Sequence, residues 1–379
     1  MDKIIELKKN AEMFYTEIAL SDVADVYTGK QLNKSDMSND GLYAVMNGGI
    51  EPSGYTNNYN EEENTITISQ GGASAGYVNW NSEKIWIGAH CYAIHPIKNK
   101  INNRYLYFVL KEKQEVLMQS KQGAGIPGLN RSIIQKLYIP LPHTNVQKRI
   151  VEILDSFTNL IDALNEELSL RQKQFEYYRE KLLTFDENIN NYCFKEIFDT
   201  KNGYTPSTSN DEYWENGVIP WFRMEDIRQN GRILSDSSMH ITSKGVKGGR
   251  LFKAGSIILA TSATIGEHAL ILVEHLSNQR FTNIYPNKDF ESKIKMKYVY
   301  YYMYIIDEWC KLHINQGGFA SVDMDGLYKL KIPIPSLDIQ QSIVEKLDAF
   351  ESLISSLKEE IALRQKQYEY YREKLLTFD

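Results

Sequence analysis

The 379-residue chain has only three cysteines, Cys91, Cys193 and Cys310, none in a CxxC pair. That count excludes a disulfide framework and the common zinc and thiol-redox motifs, and the three read as reduced, buried thiols. No apolar run approaches the roughly 20 residues that cross a bilayer. The opening stretch MDKIIELKKNAEMF has no apolar signal core, so a soluble, cytoplasmic protein without a membrane partner is expected. The seven histidines are scattered without HExxH spacing, and there is no Walker A loop, Gly-rich cofactor fingerprint or Asn-Pro-Pro-aromatic methyltransferase motif. Two fragments imitate chemistry. Gly72-Ala73-Ser74-Ala75-Gly76 has the GxSxG spacing of a nucleophile elbow, but an elbow needs a helix after the serine, and Tyr77-Val78-Asn79-Trp80-Asn81 reads as strand and then turn. Asp289-Phe290-Glu291-Ser292-Lys293 holds an ExK with no strand around it and reads as a solvated loop. The expectation is a non-catalytic chain that binds no metal and no cofactor itself.

What the sequence does contain is a long internal repeat. Residues 139–186 recur at 332–379 with a constant offset of 193, identical at 31 of 48 positions. A repeat of that length describes two whole modules rather than stacked solenoid units. Each copy opens with a proline-punctuated strand, Ile139-Pro140-Leu141-Pro142 and Ile332-Pro333-Ile334-Pro335, which cannot lie inside a helix. A 4-3 apolar seam follows in the first copy: Ile150, Leu154, Phe157, Ile161, Leu164, Leu168, Phe175, Tyr178 and Leu182. The second carries Ile343, Leu347, Phe350, Ile354, Leu357, Ile361, Tyr368, Tyr371 and Leu375. This spacing predicts two long helices that pair with each other. Arg171 and Arg364 interrupt the seam at one slot; they either set register or turn out to solvent. Outward residues Gln172, Lys173, Glu176, Arg179 and Glu180 recur unchanged as Gln365, Lys366, Glu369, Arg372 and Glu373, although helix pairing does not require it. Identical exposed faces beside divergent domains predict one kind of partner bound twice.

The net charge is −6, but it is unevenly placed: the segments 1–13, 14–143, 144–192, 193–335 and 336–379 carry 0, −1, −3, +1 and −3. Acidity sits in the repeated helices and leaves the variable regions free to gather basic groups on one surface. Those regions hold short β-rich runs such as 65–69 and 256–260, and each closes with a helix expected near Tyr105–Met118 and Tyr298–Ile314. Tyr105 and Tyr298 keep the 193 offset, as do Tyr107 and Tyr300, so the two regions read as one fold with altered loops. The loops are rich in side chains that read base edges and phosphates. In the first region these are Asn47, Ser69, Gln70, Lys121, Gln122, Asn130 and Arg131; in the second, Thr205, Ser207, Thr208, Arg223, Thr261, Ser262, Thr264, Asn278, Gln279, Arg280, Asn315 and Gln316. Taken singly, each cluster also fits a plain turn.

The motifs converge. Gly203-Tyr204-Thr205-Pro206-Ser207, Glu212-Tyr213-Trp214, Ile219-Pro220-Trp221 and Thr261-Ser262-Ala263-Thr264-Ile265-Gly266 form one set. Asn47-Gly48-Gly49-Ile50, Pro52-Ser53-Gly54-Tyr55, Ser69-Gln70-Gly71-Gly72 and Gly76-Tyr77-Val78 form another, and each long helix ends in Glu-Lys-Leu-Leu-Thr-Phe. Over its whole length the chain resembles the DNA-specificity subunit of type I restriction-modification systems, in its full-length form. The resemblance implies an α+β chain: two pseudo-symmetric mixed α/β target-recognition domains separated by two long helices that form an antiparallel coiled coil. The implied boundaries are 1–143 and 193–335 for the recognition domains and 144–192 and 336–379 for the spacers. It also implies a double-stranded DNA target in two halves, one per domain, with the helices acting as a ruler. Two modification subunits bringing S-adenosylmethionine would dock on the equivalent helix faces, and restriction subunits bringing ATP and Mg would join them. A second reading is an orphan two-domain DNA binder or scaffold that works without a methyltransferase. A third, a hydrolase using Ser74, would lose its activity in Ser74→Ala.

Overall fold

The computed structural model describes Lys8 and residues 15–122, 128–185, 189–315 and 320–378. They fall into two compact units, 1–167 with 358–379, and 168–357. In the first unit an antiparallel four-stranded sheet runs in the order 24–28, 91–96, 65–69, 78–81, beside a three-stranded sheet in the order 55–56, 43–46, 85–87. A two-stranded ribbon, Thr16–Ala19 with Tyr138–Leu141, brings the ends of the domain together. The second unit repeats this plan. Its larger sheet runs 198–202, 281–286, 256–260, 268–271, 233–234, its smaller one 240–241, 219–222, 276–277, and its ribbon pairs Asn191–Cys193 with Lys331–Pro333. The central strands Thr65–Ser69 and Ser256–Ala260 are buried at every position, as expected of β-rich runs covered on both faces.

The long helices are Thr144–Leu183 and Leu337–Leu376, 40 residues each. Each starts just past its second proline, and each start is tied by one buried glutamine. Gln147 Nε2 donates to the Pro142 carbonyl at 2.8 Å while its Oε1 accepts from Asn102 N at 2.9 Å. Gln340 does the same with the Pro335 carbonyl at 2.8 Å and Lys295 N at 2.8 Å. The shared tyrosines have the same explanation: Tyr105 Oη donates to the Pro140 carbonyl at 3.0 Å, and Tyr298 Oη to the Pro333 carbonyl at 2.9 Å. Proline strand, helix start and domain helix are thus locked together identically in both units.

The long helices form an antiparallel coiled coil. In the first unit Phe157 stacks on Tyr371 at 5.4 Å, and in the second Phe350 stacks on Tyr178 at 5.4 Å; the offset of 193 converts one pair into the other. The seam drifts at its end, because 3.6 residues per turn does not divide seven. Leu183, not Leu182, is buried at the end of the first helix, whereas Leu375 and Leu376 are both buried in the second. Arg171 and Arg364 are half-buried and bond along their own helix, to Gln174 Oε1 at 3.0 Å and Gln367 Oε1 at 2.8 Å. The domain helices are Asn103–Glu112, followed by Gln114–Gln119, and Met296–Leu312. The latter stops short of Ile314, which pairs with Val322 in a two-stranded ribbon. Burial pushes the thiols of Cys91 and Cys310 up to about 12. Cys193 departs from expectation: it is half-buried at a strand end. Among the described residues no helix is long and apolar enough to cross a membrane.

Candidate nucleic-acid interface

One edge of each unit gathers loops from distant parts of the chain. In the first unit Gln70 N donates to the His90 carbonyl at 2.9 Å, Leu129 N to the Gln70 carbonyl at 2.7 Å, and Gly88 N to the Met46 carbonyl at 2.8 Å. In the second, Thr261 N donates to the Arg280 carbonyl at 3.0 Å, Val322 N to the Thr261 carbonyl at 2.9 Å, and Asn278 N to the Phe222 carbonyl at 3.1 Å. These are the same three connections, and two further ones, Gly76 N to Ser69 O and Gly266 N to Ala260 O, also match. The glycines are required: Gly76 has φ 92° and Gly266 φ 78°, and a Cβ would lie 2.6 Å from Met118 N or 2.5 Å from the Asp307 carbonyl.

The rim of the first unit unites most of the predicted residues. Lys121 Nζ reaches the Ala73 carbonyl at 3.1 Å, Gln122 pairs with Gly128, and Asn130 and Arg131 are exposed at the start of the short helix Arg131–Gln135. Asn47 Oδ1 accepts from His90 N at 3.4 Å. Ser69 is a correction: it is 3% exposed and its Oγ turns to the Gly49 carbonyl at 3.3 Å, because its strand is covered on both faces. Tyr92 Oη braces the rim from behind through the Leu129 carbonyl at 3.0 Å, and burial raises its pKa. Behind it Lys111, lowered to about 8 by burial and then by the Arg372 cation, donates to the Val78 carbonyl and to Gln114 Oε1. A cavity of about 510 Å³ beside Asn47 is lined by Gln31, Asn33 and Asn39, which sequence reasoning did not single out.

In the second unit Thr205 Oγ1 bonds Gln279 Oε1, Ser207 Oγ lies 2.9 Å from Ser209 Oγ, and Thr208 is exposed. Thr261 Oγ1 meets Thr282 Oγ1 at 3.1 Å, Ser262 bridges to Ser321, and Ala263 between Ser262 and Thr264 has φ 66°, a left-handed backbone at the loop tip. Asn278 Oδ1 accepts from Arg280 N at 3.0 Å, so Asn278 shapes its turn, while Gln279 and Arg280 are exposed. Arg223 is half-buried, with Nη2 3.4 Å from Ser238 Oγ. Asn315 Nδ2 lies 3.5 Å from the Val322 carbonyl; Gln316 falls outside the described residues. Behind this rim Asp307 Oδ2 holds Arg232 at 2.8 Å and His268 at 2.7 Å, and burial lowers the His268 pKa.

The helix faces are largely as expected. Gln172, Lys173, Glu176 and Glu180 are exposed, and so are Gln365, Lys366, Glu369 and Glu373. Arg179 and Arg372 are corrected, since each turns onto its own unit: Arg179 lies 4.2 Å over the Tyr304 ring, and Arg372 Nε bonds Glu112 Oε2 at 2.6 Å. Sequence reasoning missed the apolar residues on these faces, Leu170 and Tyr177 with their copies Leu363 and Tyr370, all at least half exposed. Their recurrence was the available signal. Ser74 is no nucleophile elbow, because its Oγ donates to the Gly48 carbonyl at 2.7 Å and the strand Val78–Asn81 follows it.

Comparison with known proteins agrees with this arrangement. Residues 15–170 and 186–363 each match the family model described as type I restriction modification DNA specificity domain. The chain is 47% identical over 212 residues to the Escherichia coli type I restriction enzyme EcoprrI specificity subunit, the match spanning 53% of each protein. It is 38% identical over 263 residues to the Escherichia coli EcoR124I/EcoR124II specificity subunit, covering 64% of this chain and 63% of that one. These matches thus span about half and somewhat under two thirds of the two relatives. A Haemophilus influenzae protein carrying the name type I restriction enzyme specificity subunit is 31% identical over 341 residues, covering 86% of this chain and 85% of that one. The crystal structure of a type I restriction-modification S subunit from M. genitalium shares the fold with a TM-score of 0.63 at 19% identity, over 96% of both chains.

Proposed function

From the premise that the chain belongs to the type I restriction-modification DNA specificity family, we propose that it reads a bipartite double-stranded DNA target, one half-site per unit, as a recognition subunit without chemistry of its own. The observation that carries this is the pair of rims: one set of backbone connections displays two different sets of side chains. Identical scaffolds with unlike loops suit two unlike half-sites. Basic groups on the rims, Lys121 and Arg131 in one unit and Arg280 in the other, would meet phosphates or bases despite the acidic total.

The recurring helix faces, with Leu170 and Tyr177 or Leu363 and Tyr370 as apolar anchors, would each dock one modification subunit, which supplies S-adenosylmethionine and flips out the adenine it methylates. Restriction subunits with ATP and Mg would join the same complex. Each helix of 40 residues is about 60 Å long and would set the unread gap. The test is co-expression with the cognate modification subunit and mapping of methylated adenines across the host genome. One split motif with a constant gap is expected. A soluble complex that methylates nothing would instead favour the orphan DNA binder.

A further inference from the structure

Two residues hold the same place in the two rims, and their side chains differ. His90 ends the turn Gly88-Ala89-His90, closed by Cys91 N donating to the Gly88 carbonyl at 3.1 Å; Arg280 ends Asn278-Gln279-Arg280, closed by Phe281 N donating to the Asn278 carbonyl at 3.2 Å. Each carbonyl accepts the backbone N–H of the neighbouring loop, from Gln70 or Thr261, and each turn leads into the equivalent inner strand of its larger sheet, Cys91–Pro96 or Phe281–Pro286. The equivalence is hidden in the sequence because its offset is 190, not 193. The connection between strand and domain helix, 97–102 in one unit and 287–295 in the other, is three residues longer in the second. Both side chains are exposed, and neither has a hydrogen-bonding or charged partner among the described residues.

We infer that His90 and Arg280 are equivalent specificity-determining positions, each reading one base pair of the half-site bound by its unit; this rests on the function proposed above. The backbone of each turn is fixed by these hydrogen bonds, and a side chain without an internal partner gives up no hydrogen bond when it meets a base edge. The Arg280 guanidinium presents two parallel N–H groups that match guanine O6 and N7 in the major groove. His90 offers one ring nitrogen at a time and makes a single contact. The two units therefore differ at this position in the base they accept while keeping the same backbone approach.

The experiment maps methylated motifs for the complex with the cognate modification subunit, comparing wild type with Arg280→Ala, Arg280→Gln and His90→Arg. Arg280→Ala is expected to relax one guanine position in one half-site, with roughly tenfold or greater loss of discrimination there. Arg280→Gln should shift that position toward adenine, which Gln contacts at N6 and N7. His90→Arg should add a guanine preference in the other half-site, with the gap unchanged. Binding weakened equally on all sequences, with both half-sites intact, would make Arg280 a phosphate contact and overturn the inference. A wild-type complex without any split motif would instead remove the functional reading itself, and this inference with it.

Discussion

At the level of single residues, burial decides which groups titrate. His275 lies between the rings of Phe222 and Phe252, and burial pulls its pKa down to about 4, although the Val273 carbonyl at 3.0 Å and Asn283 Oδ1 at 3.1 Å favour the proton. An unfolded histidine titrates near 6.5. As pH falls the unfolded chain therefore takes up this proton first, so the stabilisation is whole above about pH 6.5 and is lost progressively toward pH 4. The loss reaches about 3 kcal/mol at most. Urea midpoints measured from pH 7 to 4 should fall more steeply for the wild type than for His275→Gln. Parallel curves would show that His275 is not a buried neutral group. The same logic of burial removes Ser69 from the exposed rim and leaves His90 on it, a distinction that residue type alone does not make.

At the level of elements, the two glutamines at the helix starts carry more than their position suggests. Gln147 and Gln340 are 1% and 0% exposed, and each satisfies a proline carbonyl and the N–H at the start of the domain helix. Truncation to Ala leaves those groups buried and unpaired, at a cost of about 1 to 3 kcal/mol. Gln147→Ala and Gln340→Ala are each expected to lower the unfolding free energy read from urea melts by that amount, moving the midpoint down in proportion, while Gln172→Ala on an exposed face changes it little; equal midpoints for all three would refute the tie. Much at this scale was legible beforehand. Prolines mark the helix starts, the seam predicts the pairing, and shared tyrosines announce the shared fold. What the seam could not show was that Arg179 and Arg372 turn inward, because their partners, Tyr304 and Glu112, lie on helices far away in the chain.

At the level of the whole molecule, repetition is the organising fact. Two units carry the same plan of a larger and a smaller sheet, with one more strand in the larger sheet of the second, and share the ribbon, helix tie and rim connections with unlike loop side chains. If the long helices measure the gap between half-sites, adding one heptad to both adds about 10 Å, or about three base pairs. Methylome mapping of that variant should return both half-sequences unaltered with a longer gap. Changed half-sequences with the original gap would sink the ruler.

The sequence by itself determined the duplicated plan, two long helices each with an apolar seam, and the division between repeated helical segments and divergent regions. These follow from periodicity and from proline, which act over a few residues and survive in any context. Tertiary structure alone decided which loop side chains share a rim, which are covered, and that His90 and Arg280 correspond across a register slip. Those outcomes depend on backbone hydrogen bonds between segments about twenty to sixty residues apart, such as Gln70 to His90, Leu129 to Gln70 and Val322 to Thr261. No local pattern encodes them, because a loop is placed by what its backbone must bond, not by what its side chains could read.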